Sequence, residues 1–204
     1  MPEPSETQPE PSETQPEATA EQPEATAERP EATAEQPTAE QFRRAVSRYA
    51  TGIAIVTTVA DGIDHAMTAN SFTSVSLDPL LALVCVERDS RFHDAVLPVG
   101  RWAVSFLPSG GEATARWFAT RGRPLEGQFA DHPTHRGSNG CLLLGGALAG
   151  LELSTEQVVP AGDHDILIGV VTAVHQASPG DDQGATAAEP TVYFASRFRH
   201  LAQD

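Results

Sequence analysis

Residues 53–72 are IAIVTTVADGIDHAMTANSF, two β-prone runs on either side of a turn dipeptide. β-branched residues crowd both sides of Asp61-Gly62, a dipeptide suited to the two positive-φ positions of a tight hairpin. The stretch therefore predicts strand, turn, strand. Toward the C-terminus the second strand runs on through Ser76 to a stop at Asp78-Pro79, and LLALVCVE (80–87) follows as a buried apolar strand. Asp89–Leu97 reads as a short helix stopped by Pro98. RWAVSFL (101–107) alternates as a strand with Trp102, Val104 and Phe106 on one face, and a helix over 113–119 precedes the Arg-Gly-Arg-Pro break. GCLLLGGALAGLELSTEQVV (140–159), broken by glycines into two strands, then HDILIGVVTAVHQA (164–177) and PTVYFASRFRHL (190–201) complete the pattern. Strands joined by short turns, with only two or three short helices among them, predict an antiparallel sheet that closes as a barrel. A parallel α/β fold is disfavoured. Neither the G-x-G-x-x-G fingerprint after a strand nor a phosphate loop ending in Gly-Lys is present.

On the N-terminal side, Thr38-Ala-Glu-Gln41 has the spacing of a capping box, and Phe42, Val46 and Tyr49 recur at helical intervals up to Gly52, which ends the helix. Order is expected to begin there. Residues 2–36 are five tandem heptads, PEPSETQ twice and then three of the PEATAE type. A coiled coil is excluded, because every repeat carries Pro and no position carries Leu, Ile or Val. Dense Glu and Pro with little apolar surface predict a disordered tail over residues 1–37 and one domain over 38–204.

The formal net charge is −15, of which ten Glu and one Arg place −9 in the first 38 residues. The body is mildly acidic, and its basic residues are scattered Arg with no Lys, which argues against nucleic acid as a partner. Two cysteines, Cys85 and Cys141, are too few for a disulfide framework or a thiolate metal site. With no signal-peptide pattern and no apolar run long enough to span a bilayer, the expectation is a cytoplasmic protein without a membrane partner.

Two stretches carry chemistry. TANSFTSVS (68–76) packs five hydroxyls and an amide into nine residues. Its alternation sets Ser74 and Ser76 on one face, so a line of small donors can border a groove for a flat, phosphorylated ligand. Ser90-Arg91, opening the next helix, offers a cation and a helix N-terminus together. In AGDHDILIG (161–169), Asp163 and His164 stand at a strand entrance, an imidazole beside a carboxylate. Asp131, His132 and His135 lack a further nearby acid or thiol, so no metal is expected. Cys85 reads as a packing residue, and Ser71 lacks the G-x-S-x-G context of a hydrolytic nucleophile.

From about residue 40 onward the chain resembles the flavin reductase family of flavin-binding split barrels, the reductase components of two-component flavin-dependent monooxygenases. The pieces that carry the resemblance are FRRAVSRYATGIAIVTT, MTANSFTSVSLDP, VCVERDSRFHDAV, GRWAVSFL, WFA, GQFA, GALAGLEL, AGDHDILIGVV and VYFASRF, in the family's order. Leu80 stands where the family often has a second Pro, and Leu153 where it often has Cys. The resemblance implies a mainly β, six-stranded antiparallel Greek-key split barrel that forms a homodimer with flavin near the interface. It implies hydride transfer from NADH or NADPH to FAD or FMN, and release of reduced flavin that diffuses to a partner monooxygenase. By this likeness Thr68, Ala69, Asn70 and Ser71 border the flavin ring, and Ser74, Ser76, Ser90 and Arg91 its phosphate end. His164, with Asp163 beside it, is the candidate catalytic pair in the nicotinamide cleft, and Tyr193, Phe194 and Arg197 are further cofactor-binding candidates. A flavin carrier without reductase activity, or an oxidase with tightly held flavin, would use the same barrel. FAD against FMN and NADH against NADPH stay open.

Overall fold

The computed structural model describes residues 36–176 and 189–201; the heptad repeats, and the disorder expected of them, lie outside the described residues. The strands are β1 (Thr51–Gly52), β2 (Ala54–Ala60), β3 (Ile63–Ala69), β4 (Thr73–Leu77), β5 (Leu80–Glu87), β6 (Arg101–Phe106), β7 (Thr134–Arg136), β8 (Leu142–Leu144), β9 (Ala149–Ala161), β10 (His164–Gln176), β11 (Val192–Phe194) and β12 (Arg197–Arg199). Three short helices, α1 (Ala39–Val46), α2 (Arg91–Val99) and α3 (Glu112–Ala119), complete the order. Among the described residues the main sheet has seven antiparallel strands, ordered β3-β2-β6-β9-β10-β5-β4, where six were expected. At one edge β4 pairs as the hairpin partner of β5.

The two edge strands of this sheet, β3 and β4, are neighbours in the chain and yet do not pair. Residues 70–72 cross the gap between them. Ser71 bridges part of it: its Oγ accepts from the Cys85 N–H at 3.0 Å and reaches the Cys85 carbonyl at 3.4 Å. One hydroxyl thus stands in for a missing strand residue and spares two half-buried backbone groups the cost of desolvation.

The 61–62 hairpin forms as its sequence predicts, with φ of 51° at Asp61 and 75° at Gly62. Ala54, Val56, Ala69, Val84, Val86, Trp102, Val104, Leu153 and Leu167 fill the main core, with Phe92 and Val96 of α2 packed on it. Each buried Val, Leu or Phe among them contributes on the order of 1.5–3 kcal/mol by leaving water. Ile55, Ala66, Leu107 and Phe118 form a second cluster beneath α3.

Several local expectations are corrected. The Thr38 capping box is present, but α1 ends at Val46, and Thr51-Gly52 is already strand because it pairs with β11. The α1 helix buries none of its residues, so Phe42 and Val46, with Tyr49 just beyond, stand exposed. Pro98 sits inside the last turn of α2 instead of stopping it, and Gly100 in the left-handed region makes the C-cap. The strand expected to run through Ser76 breaks at Asn70–Phe72, and a bulge between Ser74 and Ser76 interrupts the alternation expected there.

Candidate active site

The broken stretch after β3 opens onto a cavity of about 520 Å³. Thr68, Ala69, Asn70 and Ser71 form one wall, Ser90, Arg91 and Phe92 a second, and the segment 118–123 a third, with His164 at the rim. Four elements therefore bring the residues of both sequence motifs together: the end of β3, the N-terminus of α2, the strap after α3, and the start of β10.

Most of the hydroxyls singled out by sequence hold the walls in place. Thr68 Oγ1 donates to the Ala115 carbonyl at 2.7 Å and ties β3 to α3. Ser90 Oγ caps α2, accepting from the His93 N–H at 3.2 Å while donating to the Glu87 carbonyl at 2.7 Å. Beside them the lining is completed by Ala69, Asn70 and Ser71, of which Ala69 and Ser71 add little bulk. Cys85, expected as a packing residue, is half-buried and lines the cavity next to Ser71.

Ser74 and Ser76 are not brought to the cavity. The chain leaves its wall at Phe72, β4 pairs lower down β5, and Ser76 Oγ accepts from the Asp78 N–H at 3.2 Å. Tyr193, Phe194 and Arg197 also lie elsewhere, in the β11–β12 hairpin that pairs with β1, where Tyr193 packs edge-on against Phe198.

The strap supplies what the sequence reading missed. Arg123 is 8% exposed and lies over the Phe118 ring. Its Nε donates to Gln128 Oε1, its Nη1 to the carbonyls of Phe118 and Thr120, and its Nη2 to the Ala66 carbonyl. None of these acceptors is a carboxylate. Burial, with the Arg91 guanidinium adding to it, pulls Arg123 down to about 10, so it stays a cation at neutral pH. Arg91 Nη2 donates to the Arg123 carbonyl at 2.9 Å. Behind them His65 Nδ1 is buried without a partner, and burial and Arg91 hold that imidazole below its usual pKa. Arg121 also lines the cavity, ion-paired with Glu87. In sequence, Arg121-Gly122-Arg123 reads as a helix stop; in a chain with thirteen Lys and Arg residues, two arginines around a glycine are the available signal.

At the rim His164 is half-exposed, and its Nδ1 lies 2.8 Å from Asp163 Oδ1. The hydrogen bond from His164 holds the exposed Asp163 carboxyl below its usual range. The next residue, Asp165, is only 7% exposed. Its Oδ1 accepts from Arg88 Nε and Nη2 at 2.8 and 2.6 Å, and its Oδ2 lies 2.8 Å from His93 Nε2. Arg88, then His93, hold Asp165 below the ordinary carboxylate range. This clamp joins the start of β10 to α2, and so fixes His164 relative to Ser90 and Arg91.

A flat ring bearing a phosphate fits this donor set. Small side chains let a ring approach the main chain of residues 68–71, and a buried cation with no carboxylate of its own favours an anion nearby. A second, more apolar cavity of about 670 Å³ is lined by Val46, Tyr49, Thr51, Phe72 and Phe106, and shares Ala69, Asn70 and Ser71 with the first. Among the described residues no three His, Cys, Asp or Glu side chains cluster as metal ligands, and no helix is long and apolar enough to cross a membrane.

Residues 46–202 match the family model described as flavin reductase like domain. The NADH-dependent FAD reductase of Streptomyces globisporus is 38% identical over 167 residues, 80% of this chain and 86% of that protein. The "Probable flavin reductase" of Rhizobium meliloti (strain 1021) is 41% identical over 132 residues, 64% of this chain but 42% of its relative. The crystal structure of the flavin reductase component of a bacterial two-component tryptophan halogenase superposes with a TM-score of 0.73 at 38% identity, over 82% of this chain and all of that one.

Proposed function

From the premise that this chain belongs to the flavin reductase like family, we propose how its residues divide the work of an NAD(P)H-dependent flavin reductase. The hydride chemistry is that of the two cofactors, a reduced pyridine nucleotide as donor and FAD or FMN as acceptor, and reduced flavin is handed on to a separate monooxygenase. The protein's own task is to bind, orient and exclude water.

The main chain and small side chains of Thr68, Ala69, Asn70 and Ser71 border the ring. Ser90 and Arg91, backed by Arg123, take the phosphate end. His164 holds the nicotinamide at the rim, its ring oriented by Asp163 and its turn fixed by the Asp165 clamp. The observation that carries this reading is the convergence of the 68–71 wall, the α2 N-terminus and His164 on one cavity. No strong base or nucleophile lies among them, and hydride transfer between two cofactors requires none. The test is anaerobic stopped-flow with both pyridine nucleotides and both flavins. Nicotinamide oxidation that depends on added flavin is the expected result, and its absence with every pair would sink the proposal.

We read the chain as a homodimer in the cytoplasm, where its two free cysteines stay reduced. Phe42, Val46 and Tyr49 lie at helical spacing and are 66%, 49% and 75% exposed. Val46 and Tyr49 open onto the second cavity, so a second copy seated there would also back the 70–71 wall. Phe42→Glu combined with Tyr49→Glu is expected to give a monomer in sedimentation velocity and to weaken flavin binding. A monomeric unmodified chain with full flavin affinity would refute this assembly.

A further inference from the structure

Across the cavity mouth, Arg121 Nη2 donates to Glu87 Oε2. Arg121 belongs to the strap after α3, and Glu87 to the last residue of β5, directly opposite His164 in the β5–β10 register. The pair thus links the strap to the end of β5, beside the candidate nicotinamide position.

The two arginines of the strap differ sharply. Arg123 is buried, with its donors engaged by carbonyls and one amide, so the strap is anchored there. The Arg121 side chain is 69% exposed and its partner Glu87 41% exposed. Between the two arginines stands Gly122 at φ +74°, with nothing within 4 Å of where a Cβ would be. Arg121, exposed and bonded through its guanidinium to Glu87, can turn while Arg123 keeps its own bonds. An exposed ion pair of this kind gains little, because water screens it and two long side chains lose rotamer freedom. A phosphate offers more charge and several acceptor oxygens to a guanidinium fork, and competes well with one carboxylate.

We propose that the Arg121–Glu87 pair is a latch across the cavity mouth, which a nucleotide phosphate opens by taking Arg121 away from Glu87. Arg121 is then a specificity-determining residue that favours phosphorylated ligands, and Glu87 is its competitor. The phosphate can come from the flavin nucleotide or from the pyridine nucleotide. The proposal rests on the reductase reading above, and its failure is separable from the failure of that reading.

The test measures dissociation constants of the full chain for FMN, FAD and the phosphate-free riboflavin by fluorescence quenching, with thermal melts to verify folding. Arg121→Gln is expected to weaken FMN and FAD about five- to tenfold and riboflavin less than about twofold. Glu87→Gln is expected to tighten FMN about threefold, and this gain is expected to vanish in the double variant. A second arm compares KM for NADH with KM for reduced nicotinamide riboside, using riboflavin as acceptor. A penalty in Arg121→Gln confined to NADH assigns the phosphate to the pyridine nucleotide and also supports the latch. Equal effects on phosphorylated and phosphate-free ligands in both arms would overturn it. So would Glu87→Gln weakening FMN as much as Arg121→Gln does, since the pair would then be scaffold. If the unmodified chain binds neither FMN nor riboflavin, the reductase reading itself falls.

Discussion

Replacing His164 by alanine is expected to lower kcat/KM for the reduced pyridine nucleotide by about 10²-fold while flavin affinity changes less than about twofold. The split follows from position. His164 stands at the rim of the cavity, on the first residue of β10, whereas the 68–71 wall and Ser90–Arg91 lie on other elements. Under the proposed division of work, its removal would take away the group that orients the donor and leave the acceptor's cradle intact. The backbone should not move, because the neighbouring Asp165 keeps its bonds to Arg88 and His93. Asp163→Asn is expected to have a much smaller effect, since that carboxylate is exposed and its bond to His164 is screened by water. Stopped-flow traces at saturating flavin, with nicotinamide concentration varied, provide the measurement. Unchanged nicotinamide saturation in His164→Ala would remove the residue from the mechanism.

The largest loss of stability is expected at Glu152. This β9 carboxylate is 0% exposed and sits beneath the 137–141 turn. It accepts from the Ser138 N–H at 3.0 Å, the Ser138 Oγ at 2.9 Å, the Asn139 N–H at 2.6 Å and His175 Nε2 at 2.7 Å. Gly137 is required above it, because a Cβ there would come within 2.6 Å of the carboxyl carbon. Burial alone would raise the Glu152 pKa, but the Asn139 N–H, the His175 ring and the Ser138 donors outweigh it and bring it to about 2. Glu152→Ala leaves two N–H groups and a hydroxyl without an acceptor and is expected to cost about 3 kcal/mol, or roughly 6–12 °C in Tm. The sign with pH follows from the lowered value. The stabilisation is complete above the ordinary glutamate pKa of 4.5 and is lost as pH falls from there through about 2. Chemical denaturation of both proteins between pH 7 and pH 2.5 should show the gap narrowing with acid. A gap that stayed constant would mean that Glu152 is not held as an anion.

The strands and turns of this fold are written locally, and so they could be read from the chain. Asp61-Gly62 specifies its hairpin through two positive-φ positions, and Thr38 and Gln41 cap α1 reciprocally. The bulge at Val75 depends on how β4 meets β5, which no alternation within β4 encodes. In the site, the small polar run and the Gly-Asp-His turn were visible because they break the pattern of a strand. Arg123, Asp165 and Glu152 were not visible, because a charged residue in isolation reads as solvated surface. Their burial is set by partners 57, 72 and 23 residues away respectively: Ala66, His93 and His175. The roles of Thr68, Ser71 and Ser90 were only half legible, since hydroxyls expected to meet a ligand are engaged with Ala115, Cys85 and Glu87.

The unpaired gap between β3 and β4 has an evolutionary consequence. The ladder on β2 ends at Ala69, and Asn70–Phe72 have no partner strand, so their peptide groups are left outside the sheet's ladder. Peptide groups do not change when side chains mutate. Under the proposed reading, ring recognition at such a seam would tolerate sequence drift at positions 69 and 70 so long as the residues stay small, while Ser71 is held by its bonds to Cys85, and an alanine scan of 69 and 70 would under-report the seam's importance. Drift in the choice of nucleotide would then accumulate on the strap, where Arg121 and its neighbours can vary without disturbing the seam.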